Sequence, residues 1–298
     1  MRKLDRIRVK RMKKPEESRV LIIGLARNIE SKIENEIGNL QSAFSDFLDI
    51  RFLILESDSD DHTAKRLKEI SRLNSNVEFQ SLGNLRTKIP NRIDRISFCR
   101  TKAQELARAM FANSDYVAVA DLDGVNTQVN REAIKSCWDG PIWDVCTANQ
   151  EHNYYDIYAL RHPLLAPHDC WLEYLESRRG GAHPMKALTH AVFSRQVHIP
   201  RESKWIEVDS AFGGLAIYKV EAFLAGKYMS RRESGEVICE HVPFHESIKS
   251  EGKRLFINPK LINSAGINKG SFSYKLVFVI KYLVSLFSPE MFDRKFMR

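Results

Sequence analysis

Between residues 20 and 121 the chain alternates short, continuously apolar runs with segments whose apolar residues return every three or four positions, and few folds accept that alternation. Val20, Leu21, Ile22, Ile23, Gly24 and Leu25 form the first run, flanked by polar residues, as a strand buried on both faces of a parallel sheet is. Residues 31–48 follow with Ile33, Ile37, Leu40, Phe44 and Leu48 on one side of a predicted helix. Residues 50–55 read as a second strand, closed by Glu56, Ser57, Asp58, Ser59, Asp60 and Asp61. A helix over 63–73, a weaker strand over 77–81, a polar stretch over 82–94 and a helix over 96–111 lead to Tyr116, Val117, Ala118, Val119 and Ala120. That last strand ends in Asp121-Leu122-Asp123. The pattern predicts a doubly wound α/β sheet whose ligands bind at the carboxyl ends of its strands. Beyond it the periodicity blurs. Residues 151–205, rich in His, Tyr, Trp, Pro and Arg, read as a loop-and-helix insertion over the site, and regular structure returns at 212–218 and 255–257.

At 298 residues and 43% apolar composition, one large core is expected, with no need of disulfides. The five cysteines are odd in number and form no C-x-x-C pair, which fits a reducing cytosol better than a zinc or redox site. The N-terminus lacks the apolar region of a secretory signal, so nothing in it is expected to direct export. The net charge of +8 is unevenly placed: residues 1–14 carry +7 and residues 268–298 carry +4, which leaves the body mildly acidic. A nucleic-acid protein needs a basic face on its folded domain, so no nucleic-acid partner is expected. Basic ends beside apolar residues suit an anionic membrane surface, and a cytoplasmic protein peripheral on the cytoplasmic face of a membrane is the expectation. Residues 276–287 are apolar but broken by Lys281, too short for the ~20 residues of a spanning helix. Flanked by Lys269, Lys275, Arg294 and Lys295, they read either as an interfacial helix or as a core helix closing the domain.

Two aspartates one residue apart at the end of a buried strand project toward one mouth of the sheet. Hard cations such as Mg²⁺ and Mn²⁺ take oxygen ligands, and a diphosphate adds two more. Asp121 and Asp123 are thus candidate ligands to a divalent metal, against the plain alternative of a solvated strand end. Among the aromatic and polar residues of 153–161, read as a strand, Tyr155, Asp156 and Arg161 are candidates to face a sugar acceptor, because rings stack on sugar faces and charged groups bind hydroxyls. His162, His168, His183 and His190 have no zinc spacing.

Over roughly residues 18–265 the order of these features resembles the GT-A class of glycosyltransferases, whose single domain opens with a Rossmann-like nucleotide-binding half and carries an Asp-x-Asp motif after its fourth strand. The resemblance implies a mixed central sheet and a division into a basic arm (1–18), a catalytic domain (19–267, with nucleotide-binding and acceptor halves meeting near 125) and a basic amphipathic segment (268–298). It implies nucleotide-sugar contacts from Ala26, Arg27 and Asn28 after the first strand, from Glu56 and Asp58 after the second, and from Arg100, Asp121 and Leu122. Gly213 and Gly214 resemble the glycine-bearing loop under the donor and acceptor sugars. Glu240 and His241 stand where the class has an acidic pair, and His241 departs from it, so Glu240, His241 and Asp209 all remain candidate bases. A late histidine, His245, stands where members of the class supply a metal ligand.

The expected activity is transfer of a sugar from a nucleotide-sugar donor to a glycan acceptor, lipid-linked acceptors included, with Mn²⁺ or Mg²⁺ as cofactor. Residues 117–125 also resemble the first motif of haloacid-dehalogenase-like phosphatases, in which the first Asp is a nucleophile and the second a general acid. That family opens its core with this strand and needs a later Lys and a further acidic pair, whereas here the motif follows three strand–helix units and no Gly-Asp-x-x-x-Asp appears after it. A sugar-nucleotide-forming nucleotidyltransferase needs a Gly-rich basic loop where Leu25, Ala26, Arg27 and Asn28 stand. A non-catalytic membrane-surface binding protein is the remaining alternative.

Overall fold

The computed structural model describes residues 12–296. The first of its strands and helices are β1 (Arg19–Ala26), α1 (Ile33–Ala43), β2 (Asp49–Glu56), α2 (Thr63–Leu73), β3 (Val77–Ser81), α3 (Arg92–Met110) and β4 (Tyr116–Asp121). Next come α4 (Arg131–Lys135), β5 (Val145–Gln150), α5 (Cys170–Arg179), α6 (Pro184–Ala191), β6 (Ile206–Glu207), β7 (Leu215–Lys219), α7 (Val220–Ala225), α8 (His241–Ser250) and β8 (Leu255–Ser264). The chain closes with α9 (Phe272–Phe287) and α10 (Pro289–Phe296).

All eight strands form one sheet in the order β3-β2-β1-β4-β7-β5-β8-β6. The β3-β2-β1-β4 half is parallel, and β7 enters antiparallel to both β4 and β5, giving the mixed sheet behind a Rossmann-like half that is expected of a GT-A-like domain. Alternate residues of the apolar strands feed opposite layers. Leu21, Ile23, Leu53, Leu55, Val117 and Val119 pack with Ala103 and Ala107 of α3, whereas Val20, Ile22, Phe52, Ile54, Ala118 and Ala120 pack with Ile33, Ile37 and Leu40 of α1.

The two halves share this one sheet, so the expected boundary near 125 separates strand sets and not separate bodies. α3 begins four residues before the predicted start because the Asn91 side chain accepts from the N–H groups of Ile93 and Asp94, a cap that the polar stretch conceals. β5, whose small and polar residues are all buried, has no apolar run to announce it. The expected strand over 153–161 does not form: it is a looped segment tied by isolated bridges at Asn153 and Arg161, with Tyr154, Ile157, Ala159 and Leu160 turned into the core. Of the basic arm, residues 1–11 lie outside the described residues, and the remainder is seated on the domain: the Lys13 carbonyl accepts from Tyr116 Oη and Trp138 Nε1, and Pro15 and Ser18 are buried. At the other end, α5, α6 and α10 share a small core of Tyr174, Met185, Leu188 and Phe292, against which α9 lies.

Candidate functional site

The carboxyl ends of β1, β2 and β4 open into a cavity of about 200 Å³ bordered by Arg27, Asp58, Arg95, Arg100, Asp121 and Asp123, with Arg92 at its edge and Leu25, Ile29, Leu55 and Ile96 as apolar wall. Two residues hold its outer rim in left-handed backbone conformations that only short polar side chains tolerate readily, Asn28 (φ 53°) and Asp58 (φ 60°). Asn28 Oδ1 accepts from the Asp60 N–H at 2.7 Å and its own N–H donates to Ser59 Oγ, so the loops after β1 and β2 are stitched together. Asn28 and Glu56 therefore act on the rim from behind. The Glu56 carboxylate is buried and accepts from Ser81 Oγ and the Ser59 N–H. Asp58 differs: Oδ1 accepts from the Leu85 and Arg86 N–H groups, while the buried Oδ2 has no hydrogen-bond partner, only Arg95 Nε at 3.6 Å.

At the end of β4 the Asp-x-Asp segment is fixed from below. Asn126 Nδ2 donates to the Asp121 carbonyl at 2.6 Å and to Glu36, Asn263 Nδ2 donates to Asn126 Oδ1 and to the Gly213 carbonyl, and Gln150 Nε2 donates to Asn263 Oδ1 and Gly213. The Asp121 N–H in turn donates to the Gly214 carbonyl. Gly213 and Gly214 have φ of 69° and 86°, and a Cβ on Gly214 would meet Tyr155 Oη at 2.7 Å, so the two glycines let this loop close on the acidic pair. Leu122 is buried, its side chain filling the space over Gly24, and it contributes to the cavity wall. The Asp123 side chain is exposed, and Lys32 Nζ donates to its carbonyl.

Arg100 sits at the centre. Its side chain is 7% exposed, Nε donates to Glu240 at 2.9 Å, a terminal nitrogen donates to Asp121 at 3.3 Å, and the guanidinium lies over the Phe212 ring. Burial opposes its charge, but Glu240 first, with Tyr228 and Asp121, holds the proton on. It is not a surface cation. Desolvation pushes the Asp121 carboxyl up to about 7, against the pull of Arg100 and with the repulsion of Asp123, Asp156 and Glu240. Although 39% of that side chain reaches water, it does so inside a cleft crowded with other carboxylates. Burial also raises the Asp156 carboxyl, whose oxygens accept from the Gly213 and Ala159 N–H groups.

His241 is stacked on Phe212 with ring centroids 3.9 Å apart, and neither ring nitrogen has a hydrogen-bond partner. Burial, with the charge of Arg100, holds it neutral far below the usual histidine range. Glu240 and His241 thus belong to this centre, and Asp156 and Tyr155 border it beneath the glycine loop.

Three expectations are corrected. His245 cannot serve a metal here: it is fully buried, with Nδ1 against Ser210 Oγ at 2.9 Å and Nε2 against Tyr218 Oη at 3.0 Å. Asp209 is ion-paired with Lys249 in a separate open groove of about 950 Å³, and does not border the Asp121 cavity. Arg161 lines that same groove and is spent on Asp169 and on the Tyr158 and Leu160 carbonyls. Sequence reading misses Arg92, Arg95, Asn126, Gln150 and Asn263. Arg92 lies in the stretch read as polar and Arg95 between it and the predicted helix, and the three amides carry no motif that would mark them.

Among the described residues no group of three or more His, Cys, Asp or Glu side chains is arranged to hold an ion alone. Asp121 and Asp123, whose neighbours Asp156 and Glu240 repel the charge on Asp121, nevertheless fit a hard divalent cation that takes its other oxygens from a bound ligand and water.

No family model and no curated protein matches the chain. Solved structures do. The mannosyltransferase PcManGT from Pyrobaculum calidifontis, in complex with GDP-Man and Mn²⁺, is 12% identical with a TM-score of 0.48, over 94% of this chain and 65% of that one. S. aureus TarS is 14% identical with a TM-score of 0.43, over 80% and 57%. Glucosyl-3-phosphoglycerate synthase from Mycobacterium tuberculosis, in complex with UDP, is 13% identical with a TM-score of 0.40, over 91% and 79%. The chain therefore spans less than two thirds of the length of the first two.

Proposed function

We propose that the protein transfers a sugar from a nucleotide-sugar donor to a glycan acceptor, with Mn²⁺ or Mg²⁺ held by Asp121 and Asp123. The observation that carries this reading is the combination, in one cavity at the strand ends, of four arginines, an Asp58 carboxylate oxygen that accepts no hydrogen bond and the crowded acidic pair. Cationic forks suit a diphosphate, the Asp58 oxygen suits an N–H or O–H of a nucleoside, and the Leu25, Ile29 and Ile96 wall suits its flat face. Arg27 and Arg92 are the arginines whose side chains are exposed at the cavity and suited to phosphate oxygens, while Arg100 orients Asp121 and Glu240.

A bound divalent cation would offset the charge that develops on the leaving diphosphate. Glu240 is the preferred base: Arg100 takes Oε1, whereas Oε2 has only the weak Cys239 thiol beside it and is able to accept a hydroxyl proton. Tyr155, Asp156 and the Gly213–Gly214 backbone then border the sugar. The phosphatase reading needs a lysine facing the acidic pair; Lys32 reaches that segment but donates to the Asp123 carbonyl and does not line the cavity. The basic ends support a peripheral site of action at a membrane, where a lipid-linked acceptor would be presented. Among the described residues no helix is long and apolar enough to cross one.

A screen of UDP- and GDP-sugars for Mn²⁺-dependent donor hydrolysis tests the proposal. Turnover of one donor is expected, abolished in Asp123→Ala; undiminished turnover in that variant, or calorimetric indifference to every donor with Mn²⁺ present, overturns it.

A further inference from the structure

Helix α9 keeps a large apolar face toward solvent. A surface helix turns its apolar stripe inward and shows polar residues to solvent. Here the side turned to the body is mixed: Phe278 and Val284 pack against the small core of Tyr174, Met185, Leu188 and Phe292, and Tyr274, Lys281 and Ser285 share that side, with Ser285 buried and Lys281 Nζ over the Phe193 ring. The opposite side presents Leu276, Val277, Val279, Ile280, Leu283 and Leu286, each between 47 and 51% exposed, with Phe272 standing 82% exposed at the helix start. Such a contiguous row of large apolar side chains is an interaction surface and not the scattered exposure of an ordinary monomer.

Charge says what fits it. Neither α9 nor its neighbour α6 contains a carboxylate, whereas Lys275 and Lys281 lie on α9 and Lys186 on α6. Between the two helices opens a groove of about 630 Å³ lined by His183, Lys186, Thr189, His190, Phe278 and Tyr282, polar and cationic on the α6 side and aromatic on the other. Apolar residues below a cationic recess match the layering of acyl chains below lipid phosphates. A second copy on this face would set like charges against one another.

We propose that α9 lies in the interface of an anionic phospholipid membrane, its Leu276–Leu286 side among the acyl chains and the α6–α9 groove at headgroup level. This refines the membrane contact proposed above and does not depend on the donor site. The test is sedimentation of the full chain with phosphatidylcholine vesicles, with and without phosphatidylglycerol, at low and physiological salt. Binding to the anionic vesicles is expected, weakened by salt, with neutral vesicles binding markedly less. Val279→Glu with Ile280→Glu should lower the bound fraction by about tenfold or more, and Lys186→Glu by roughly fivefold. Both substitutions are at exposed positions, so thermal unfolding should be unchanged, and donor hydrolysis in solution should match the parent. An absence of anionic-vesicle binding, equal binding to neutral vesicles, or binding that survives the double substitution overturns the proposal. So does concentration-dependent self-association that the double variant abolishes. Loss of vesicle binding with intact donor hydrolysis separates this surface from the active site.

Discussion

Arg100→Met removes the one cation between Glu240 and Asp121, and the cost follows from burial. Arg100 and Glu240 side chains are each 7% exposed, so the orphaned Glu240 charge would have almost no access to water. Breaking a buried pair from one side costs roughly 3–5 kcal/mol. The Asp121 contact is longer, at 3.3 Å, and its side chain is 39% exposed, so solvent screens it and it adds little. The guanidinium also lies over the face of Phe212, a contact of the same buried group that is counted within that range. For a domain of this size each kcal/mol lowers the midpoint by about 2 °C, so calorimetry should find a fall of roughly 6–10 °C. Glu240→Gln alone should cost less, since a neutral amide can be left beside Arg100 without an orphaned anion. In the double variant the two effects should fall short of additivity by about 2 kcal/mol. A midpoint within about 1 °C of the parent, or strict additivity, would show that Arg100 is not the electrostatic centre of this site.

Other perturbations isolate other parts of the site. Gly24→Ala places a Cβ 2.3 Å from Leu122 Cδ1, so the buried Leu122 side chain must give way and strain the Asp-x-Asp segment that carries it; about 1–3 kcal/mol of stability and weaker metal-dependent donor binding are expected by urea unfolding and titration calorimetry. Asn126→Ala strips the donor from the Asp121 carbonyl and from Glu36, costing about 1–3 kcal/mol by the same unfolding assay. His245, held at about 3 by burial and by Arg100, is neutral in the fold and titrates near 6.5 when unfolded, so its contribution is complete above pH 6.5 and declines as pH falls, by about 1.4 kcal/mol per unit until the folded value is reached. His241 shifts the same way while the raised Asp121, Asp156 and Glu36 carboxyls oppose the loss, so the test is a comparison: from neutral to mildly acidic pH the stability of His245→Gln should fall less steeply than the parent's by about that slope, and identical slopes would refute the neutral assignment.

What the sequence discloses is whatever rests on apolar periodicity. The runs of β1, β2 and β4 are buried on both faces and have nowhere else to go, so their carboxyl ends, and with them Asp121 and Asp123, are legible from the residue pattern, while Ala26 and Asp58 enter through the resemblance. β5 is not, because a strand of Val, Cys, Thr, Ala, Asn and Gln obtains its burial from β7 and β8 and not from its own composition. Asn149 spans the register shift of that pairing and donates to the Pro259 carbonyl; an irregularity of this kind is where a strand such as β8 can hold a proline, which has no N–H to give. The metal reading of His245 fails for a related reason: no pattern around it distinguishes a ligand from a residue satisfied by Ser210 and Tyr218 on both sides. Asp209 and Arg161 are charged, and Asp209 is close to the glycine loop in sequence, but each finds an ion partner in another groove.

The amide chain of Asn126, Asn263 and Gln150 explains why the acidic pair and the glycine loop act as one unit. Asn263 bonds both the Asn126 side chain and the Gly213 carbonyl, and Asn126 bonds the Asp121 carbonyl, so the turn that presents the carboxylates and the loop that borders Asp156 share a buried, mutually satisfied support. A divalent ion drawn to Asp121 and Asp123 would therefore be met by a preformed backbone and would need to order only side chains. Arg100 closes the same circuit from the other side by joining Asp121 to Glu240 at the start of α8. Donor-side charge and the proposed base thus share one guanidinium, and a ligand that draws Asp121 away from Arg100 alters the electrostatic surroundings of Glu240 at the moment an acceptor hydroxyl must lose its proton.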